Sequence, residues 1–292
     1  MLLRDLIKEG VNAISQSYPE REAREMVFLF LESSIGTQRH THIMEPCFEV
    51  SDEVAEAALA SFARISSGEP FQYVTGKAFF YGREYRVTPD VLIPRPETEL
   101  LCRMVLDARR STGHVSVMDL CTGSGCIAWT MALEMPGAQV TAVDISEGAL
   151  DVASSQDFGD EISRTGAYSP VFRHADILES PLTLGEDGAS FDVLVSNPPY
   201  VMDSERALMR PNVLEHEPGL ALFVPDDDPL LFYRAVSDWA LHFLKPEGLC
   251  VVEINEALGA ETADVFVKAG FKDVQVVQDL SSRDRFVTAV KQ

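Results

Sequence analysis

The chain of 292 residues contains no apolar run near the roughly 20 residues that a bilayer-spanning helix requires. Its first ten residues, Met-Leu-Leu-Arg-Asp-Leu-Ile-Lys-Glu-Gly, interrupt their apolar positions with charge and offer no small-residue cleavage site, unlike a secretory signal. Cysteine is sparse: Cys47, Cys102, Cys121, Cys126 and Cys250 are scattered and form no Cys-x-x-Cys pair. An odd number of isolated cysteines argues against a disulfide framework and for a reducing compartment, so a cytoplasmic protein with no membrane partner is expected. His40 and His42 lie close together, but no cysteine or carboxylate accompanies them at a zinc spacing, and no metal is expected. Positive charge is also scarce, 24 Lys and Arg against 46 Asp and Glu, a formal net charge of −22. A surface so acidic repels a phosphate backbone and forgoes counterion release, which argues against direct binding of nucleic acid and is neutral toward a protein substrate.

What is present is ordinary globular material, 46% hydrophobic and 24% charged, long enough for two domains. Leu2, Leu3, Leu6, Ile7, Val11 and Ile14 recur at helical spacing. A second helix opens at Pro19 and ends at Gly36. A third begins at the N-cap Ser51-Asp52-Glu53 and stops at Ser67-Gly68-Glu69-Pro70. Residues 1–70 are therefore read as a small all-helical domain. Residues 71–92 are β-prone and punctuated by glycine, and read as a hairpin linker. In Leu92-Ile93-Pro94-Arg95-Pro96-Glu97-Thr98-Glu99 a proline-stiffened entry leads into a helix with acids in its first turn. Arg95, fixed between two prolines, is unusually constrained for a surface arginine and becomes a candidate site residue.

From about residue 115 strands and helices alternate. Strands are expected at 115–120, 139–143, 171–174, 191–195 and 249–254, with 274–278 and 286–290 as a closing antiparallel pair; the main helices are expected at 127–133, 230–243 and 261–269. Residues 93–292 thus read as an α/β domain with a mainly parallel seven-stranded sheet.

Two segments carry chemistry. The first is Asp119-Leu120-Cys121-Thr122-Gly123-Ser124-Gly125-Cys126-Ile127-Ala128, a Gly-x-Gly-x-x-Ala loop between a strand and a helix. Asp144 ends the next strand, 19 residues beyond Gly125, where a carboxylate can accept both ribose hydroxyls of an adenosine. NAD-dependent dehydrogenases and S-adenosylmethionine-dependent methyltransferases both fit; Asp119 before the loop and Asp176 after the third strand favour the methyltransferases. The second is Val193-Leu194-Val195-Ser196-Asn197-Pro198-Pro199-Tyr200. Its prolines end the strand and leave a rigid turn bearing a carboxamide, bare carbonyls and a ring. The Asn197 side-chain oxygen and the Pro198 carbonyl can each accept one N–H of a planar NH2 group, on which Tyr200 can stack. Two fixed acceptors would favour positive charge developing on a poorly nucleophilic amide nitrogen.

Asp-x-x-Thr-Gly-Ser-Gly, Val-Asp-Ile-Ser and Ser-Asn-Pro-Pro-Tyr, in that order, resemble the amino-methyltransferases of class I Rossmann-like fold. Gly68 to Gly76, Leu92 to Glu99, Glu217-Pro218 to Ala221-Leu222 and Asp279 to Arg285 resemble, more narrowly, the peptide chain release factor glutamine methyltransferases. The resemblance covers nearly the whole chain and is weakest over residues 1–65. It implies methyl transfer from S-adenosyl-L-methionine, leaving S-adenosyl-L-homocysteine, to the side-chain amide of the glutamine in the Gly-Gly-Gln loop of release factors, with the helical domain helping to hold the factor. Carried over, Cys121, Thr122, Gly123, Ser124 and Gly125 would bind the cofactor, with Asp144 at the ribose and Asp176 with Ile177 near the adenine. Asn197 would touch cofactor and substrate, and Pro198, Pro199 and Tyr200 would hold the glutamine, with Arg95 nearby. The chain departs from the family in having Cys121 and Asn255 where glycine is usual; a β-carbon at 121 narrows the approach or strains the backbone. The alternatives are a DNA or RNA amino-methyltransferase using the same Asn-Pro-Pro-Tyr turn, a non-enzymatic adenosine-binding module, and a dehydrogenase.

Overall fold

The computed structural model describes residues 1–109, 113–184 and 190–292. It divides into two compact units, residues 1–77 with 210–216, and residues 78–209 with 217–292.

The first unit is built from α1 (Leu3–Ile14), α2 (Glu20–Ile35), α3 (Thr41–Met44), α4 (Asp52–Ser66) and α5 (Phe71–Thr75). Leu6, Ile14, Val27, Leu31, Phe62 and Ile65 are its fully buried centre. Gly10 on α1 lets the helices close up, because a β-carbon there would stand 2.6 Å from the Phe62 ring and 3.0 Å from Val27. The Ser51 hydroxyl accepts from the Val54 N–H and caps α4, as its sequence suggests. Residues 71–75 are helical rather than part of a hairpin. Pro70 stands at the N-cap of this turn, Gly76 ends it at φ 71°, and Phe71 and Val74 pack on the unit's core, so tertiary burial overrides their β-propensity. The hairpin itself is β1 (Lys77–Phe80) and β2 (Arg83–Arg86), joined by Tyr81 and Gly82 at φ 49° and 74°, the positive values of a two-residue type I′ turn.

The second unit continues with α6 (Thr98–Arg109), β3 (Ser116–Leu120), α7 (Cys126–Glu134), β4 (Gln139–Asp144), α8 (Glu147–Ser154), α9 (Gly159–Thr165), β5 (Val171–His174) and β6 (Phe191–Ser196). Then come β7 (Val201–Met202), α10 (Pro211–His216, part of the first unit), α11 (Gly219–Leu222), β8 (Phe223–Val224), α12 (Leu231–Phe243), β9 (Leu244–Glu253), α13 (Gly259–Lys268), β10 (Lys272–Gln278) and β11 (Asp284–Val290). The main sheet has the order β10-β11-β9-β6-β3-β4-β5. β3, β4, β5, β6 and β9 run parallel, and β10 and β11 close one edge antiparallel. The chain therefore winds outward from β3 in one direction and, from β6, in the other. The crevice at the carboxyl ends of β3 and β6 is the switch point where such sheets bind ligands.

Alternation along the strands fixes both faces. Val117, Val140, Ala142, Val193, Val195 and Val251 pack with α6 and α7 residues on one side. Met118, Val143, Leu194, Cys250 and Val252 pack with α12 and α13 residues on the other. The inner strands β3, β4, β6 and β9 are apolar on both faces, the expected state of a covered parallel sheet, whereas the edge strand β5 is largely exposed. The hairpin is tied to this unit by Tyr85, whose buried hydroxyl lies 3.1 Å from the Thr130 Oγ1, and by Arg83, which donates to Glu134 (2.9 Å) and Glu161 (2.6 Å). Among the described residues no helix is long and apolar enough to cross a membrane, and no three His, Cys, Asp or Glu side chains cluster to hold a metal ion.

Candidate active site

A cleft opens at the switch point. The first turn after β3 forms its floor. The Thr122 N–H donates to the Val143 carbonyl (3.0 Å), the Gly125 N–H to the Thr122 carbonyl (2.9 Å), and the Thr122 hydroxyl to the Asp119 Oδ2 (2.7 Å). Gly123 has φ 54° and open space where a β-carbon would stand. Gly125 has φ 77°, and a β-carbon there would lie 3.0 Å from the Ala153 Cβ and 3.1 Å from the Trp129 ring. Gly123 thus leaves room for a ligand, while Gly125 serves helix packing; the two glycines of the motif do different work.

Cys121 begins this turn at φ 59°. A non-glycine residue in the left-handed region carries strain of roughly 1–2 kcal/mol, so the departure from glycine at this position is a real conformational load, and the thiol lines the cleft. Burial pushes that thiol well above its ordinary pKa, with the Asp144 and Asp119 charges adding to the effect.

Asp144 ends β4. Its Oδ2 accepts from the Gly123 N–H (2.8 Å) and its Oδ1 from the Ser146 N–H (2.9 Å), so the carboxylate is oriented by the loop it serves. Each oxygen keeps a lone pair for a further donor. Burial raises its pKa against these two hydrogen bonds. Asp119 is more extreme. It is 0% exposed and its Oδ1 has no hydrogen-bond partner among the described residues. Burial pushes its carboxyl up to about 7, opposed by Thr122 and the Ala128 amide and reinforced by Asp144. Asp176, after β5, turns back on itself through the Leu178 N–H at 2.8 Å and lines the cleft with Ile177.

Asn197 follows the last residue of β6, and Ser196 anchors that tip to β3 through its hydroxyl on the Leu120 carbonyl at 2.9 Å. The Asn197 Nδ2 donates to the Thr98 Oγ1 at 3.2 Å. Thr98 in turn contacts the Glu253 Oε2 at 2.7 Å, and the Tyr200 hydroxyl donates to the Glu253 Oε1 at 3.1 Å. Asn255, the second departure from glycine, stitches the same region: its Nδ2 donates to the Tyr200 carbonyl (3.1 Å) and the Glu205 Oε2 (2.9 Å).

The cleft lining brings together Arg95, Cys121, Thr122, Gly123, Ser124, Asp144, Asp176, Ile177, Asn197 and Pro199. It does not include Gly125, Pro198 or Tyr200. The Tyr200 hydroxyl donates to the buried Glu253, which fixes the direction of the ring, and burial holds its pKa well above the ordinary phenol value. Arg95 is at the cleft but committed, donating at 2.6 Å to Glu217, whose side chain is 1% exposed and also accepts from the Ile93 N–H. Arg95 therefore holds the Glu217-Pro218 end of the segment that adds Pro218, Leu220 and Ala221 to the cleft wall. Thr98 and Glu217 lie in segments that the family resemblance singles out, but neither they nor Glu253 carry a site role that sequence spacing suggests. Glu253 had a usable signature, a carboxylate ending an apolar strand, which is what singled out Asp144.

The donor set suits a positively charged adenosine derivative. The described lining carries Asp90, Asp144 and Asp176, and its single cation, Arg95, is neutralised by Glu217. A pyrophosphate would find no free positive side chain among these residues, whereas an ammonium or sulfonium would meet carboxylates and backbone.

A family profile described as methyltransferase domain matches residues 111–278. A second, PrmC N-terminal domain, matches residues 5–76. The solved structure of the T. thermophilus 16S rRNA N2 G1207 methyltransferase, in complex with AdoMet and guanosine, has a similar fold: 19% identity, TM-score 0.50, covering 74% of this chain and 50% of that one. The fold and the matched profile define a Rossmann-like α/β methyltransferase with a helical N-terminal domain. A release factor glutamine methyltransferase of Bacteroides thetaiotaomicron is 42% identical over 77% of this chain and 77% of its own. Those of Flavobacterium psychrophilum (32%; 98% of both chains) and Bacillus subtilis (35%; 98% of this chain and 96% of its own) align over almost their full lengths. The chain belongs to the release factor glutamine methyltransferase family.

Proposed function

We propose that this protein methylates the side-chain amide nitrogen of the glutamine in the Gly-Gly-Gln loop of peptide chain release factors, with S-adenosyl-L-methionine as donor. The observation that carries the proposal is Asn197: it lines the cleft at the tip of β6 with its NH2 held by Thr98, which leaves its carbonyl oxygen as the acceptor for a substrate N–H. A glutamine amide nitrogen is a weak nucleophile because its lone pair is delocalised. Positive charge grows on it during methylation, and an oriented acceptor stabilises that charge more than it stabilises the resting amide.

Within this reading the Cys121–Gly125 turn supplies backbone to the methionine portion of the cofactor, Asp144 accepts from the ribose hydroxyls, and Asp176 with Ile177 flanks the adenine. When bound, S-adenosylmethionine supplies an electrophilic methyl group and departs as S-adenosylhomocysteine. Asn197 Oδ1 accepts one N–H of the glutamine and holds its nitrogen at attack distance; the Pro198 carbonyl, on the adjoining turn and outside the cleft lining before substrate binds, accepts the other. The amide is too weak an acid to be deprotonated first, so its proton leaves late, to water, and no strong base is needed. The helical first unit contributes to holding the release factor.

The test is methyl transfer from labelled S-adenosylmethionine to a release factor, to its Gln→Ala loop variant, and to unmethylated DNA and RNA. Label on the wild-type factor alone is expected. Label on DNA or RNA would retain the amino-methyltransferase chemistry and overturn the substrate.

A further inference from the structure

We propose that Thr98 and Glu253 are positioning residues that fix the polarity of the Asn197 carboxamide, so that its oxygen and not its NH2 faces the acceptor nitrogen. The inference rests on the role proposed above for Asn197.

An asparagine at a strand tip can present either end of its amide, since the two orientations differ by a half-turn of one torsion. Only one is productive: the NH2 end would oppose the NH2 of a glutamine. The structure contains a chain of three side chains that decides between them. Glu253 is 1% exposed and ends β9. As a carboxylate it can only accept, and each oxygen faces a hydroxyl, Thr98 Oγ1 at 2.7 Å and Tyr200 OH at 3.1 Å. Both hydroxyl protons are therefore directed at Glu253. Thr98, 2% exposed at the first position of α6, then has only lone pairs left for its second neighbour. That neighbour is the Asn197 Nδ2 at 3.2 Å. A flipped Asn197 would set its oxygen against those lone pairs.

The arrangement is a relay of polarity, not of protons, and its charged end lies outside the cleft lining. Burial raises the Glu253 carboxyl, and Thr98, Tyr200 and the nearby Arg285 charge oppose that rise. A buried carboxylate is a poor device for stability, because replacing such groups by apolar ones is often neutral or favourable; here it serves to orient. β6 and β9 are neighbours in the sheet, and α6, which packs against β9, brings Thr98 to their tips.

The variants are Thr98→Val, Thr98→Ser and Glu253→Leu. Thr98→Val keeps the shape and removes the hydroxyl. It is expected to lower kcat by about 10- to 100-fold, the range for a misoriented catalytic group, with the Kd for S-adenosylmethionine within about twofold of wild type. Thr98→Ser keeps the hydroxyl and is expected to retain kcat within about threefold. Glu253→Leu removes both acceptors, so the Thr98 hydroxyl proton is no longer held away from Asn197, and it is expected to lower kcat about tenfold at unchanged cofactor Kd. An unchanged cofactor Kd shows that a variant is folded; if Thr98→Val does not fold, Glu253→Leu carries the test. A kcat for Thr98→Val within twofold of wild type would overturn the proposal, as would equal losses in the Ser and Val variants, or wild-type kcat in a folded Glu253→Leu. The kcat ratios are taken on whichever acceptor the wild-type protein labels, so a wrong substrate would appear as wild-type inactivity on the release factor and leave the ratios readable.

Discussion

Replacing Asp119 by Asn should change how the stability of the second unit depends on pH. The carboxyl is 0% exposed and burial pushes it up to about 7, against 3.8 for the ordinary group. Between these values the unfolded chain carries a charged Asp119 and the folded chain a neutral one. The folded state binds the extra proton, so this group's contribution to stability is complete below about pH 4 and is lost as pH rises to about 7, at about 1.4 kcal/mol per pH unit. The loss totals on the order of 4 kcal/mol, about 3 of them between pH 5 and pH 8. Asparagine does not titrate. It still offers Thr122 an acceptor, but it places an unpartnered N–H where Oδ1 already lacks a partner, at a cost of about 1–3 kcal/mol. The variant should therefore be the less stable protein at pH 5 and should equal or exceed wild type at pH 8. Urea unfolding followed by tryptophan fluorescence measures this directly, because the chain's 2 tryptophans, Trp129 and Trp239, both lie in the second unit. Asp144 is also raised by burial, but it is present in both proteins and largely cancels. A stability difference that stays constant within about 0.5 kcal/mol from pH 5 to pH 8 would mean that folded Asp119 is ionised, and would refute the reasoning.

Cys121→Gly should release the strain of a β-carbon at φ 59°, roughly 1–2 kcal/mol, partly offset by about 0.4–1 kcal/mol of added freedom in the unfolded chain. Urea unfolding should show unchanged or slightly higher stability and calorimetry an unchanged or tighter cofactor Kd; a loss above about 1 kcal/mol would mean that the thiol's packing outweighs the strain. Gly125→Ala puts a methyl 3.0 Å from the Ala153 Cβ and 3.1 Å from Trp129 at φ 77°, and should lower both stability, by about 1–3 kcal/mol, and cofactor affinity. Arg95→Ala leaves the buried Glu217 carboxylate with the Ile93 N–H as its remaining partner and should weaken cofactor binding while lowering stability by about 1–3 kcal/mol, discounted for the partial exposure of the arginine. Wild-type values for both quantities would show that the pair does not hold the cleft wall.

The elements whose information is local are legible from the chain alone. The alternation of Val193, Leu194 and Val195 between two faces, the punctuation by Pro198 and Pro199, and the strand–glycine–helix pattern around Gly123 each encode a piece of backbone within a few residues, because side-chain period and allowed φ are local properties. Asp144 was legible for the same reason: an acid ending an apolar strand has one place to go. Tertiary structure decided the rest. Phe71–Thr75 became helix because Phe71 and Val74 find a core to pack on. Arg95 was a site candidate on its fixed place between two prolines alone; folding sets Glu217, 122 residues away, against it. Tyr200 follows Asn197 by three residues yet turns its hydroxyl to Glu253, 53 residues further on. The Asn197–Thr98 contact spans 99 residues and the Thr98–Glu253 contact 155, and neither can be inferred from spacing. They exist because β9 lies next to β6 in the sheet, an order that the winding of the parallel strands imposes and that no single segment contains.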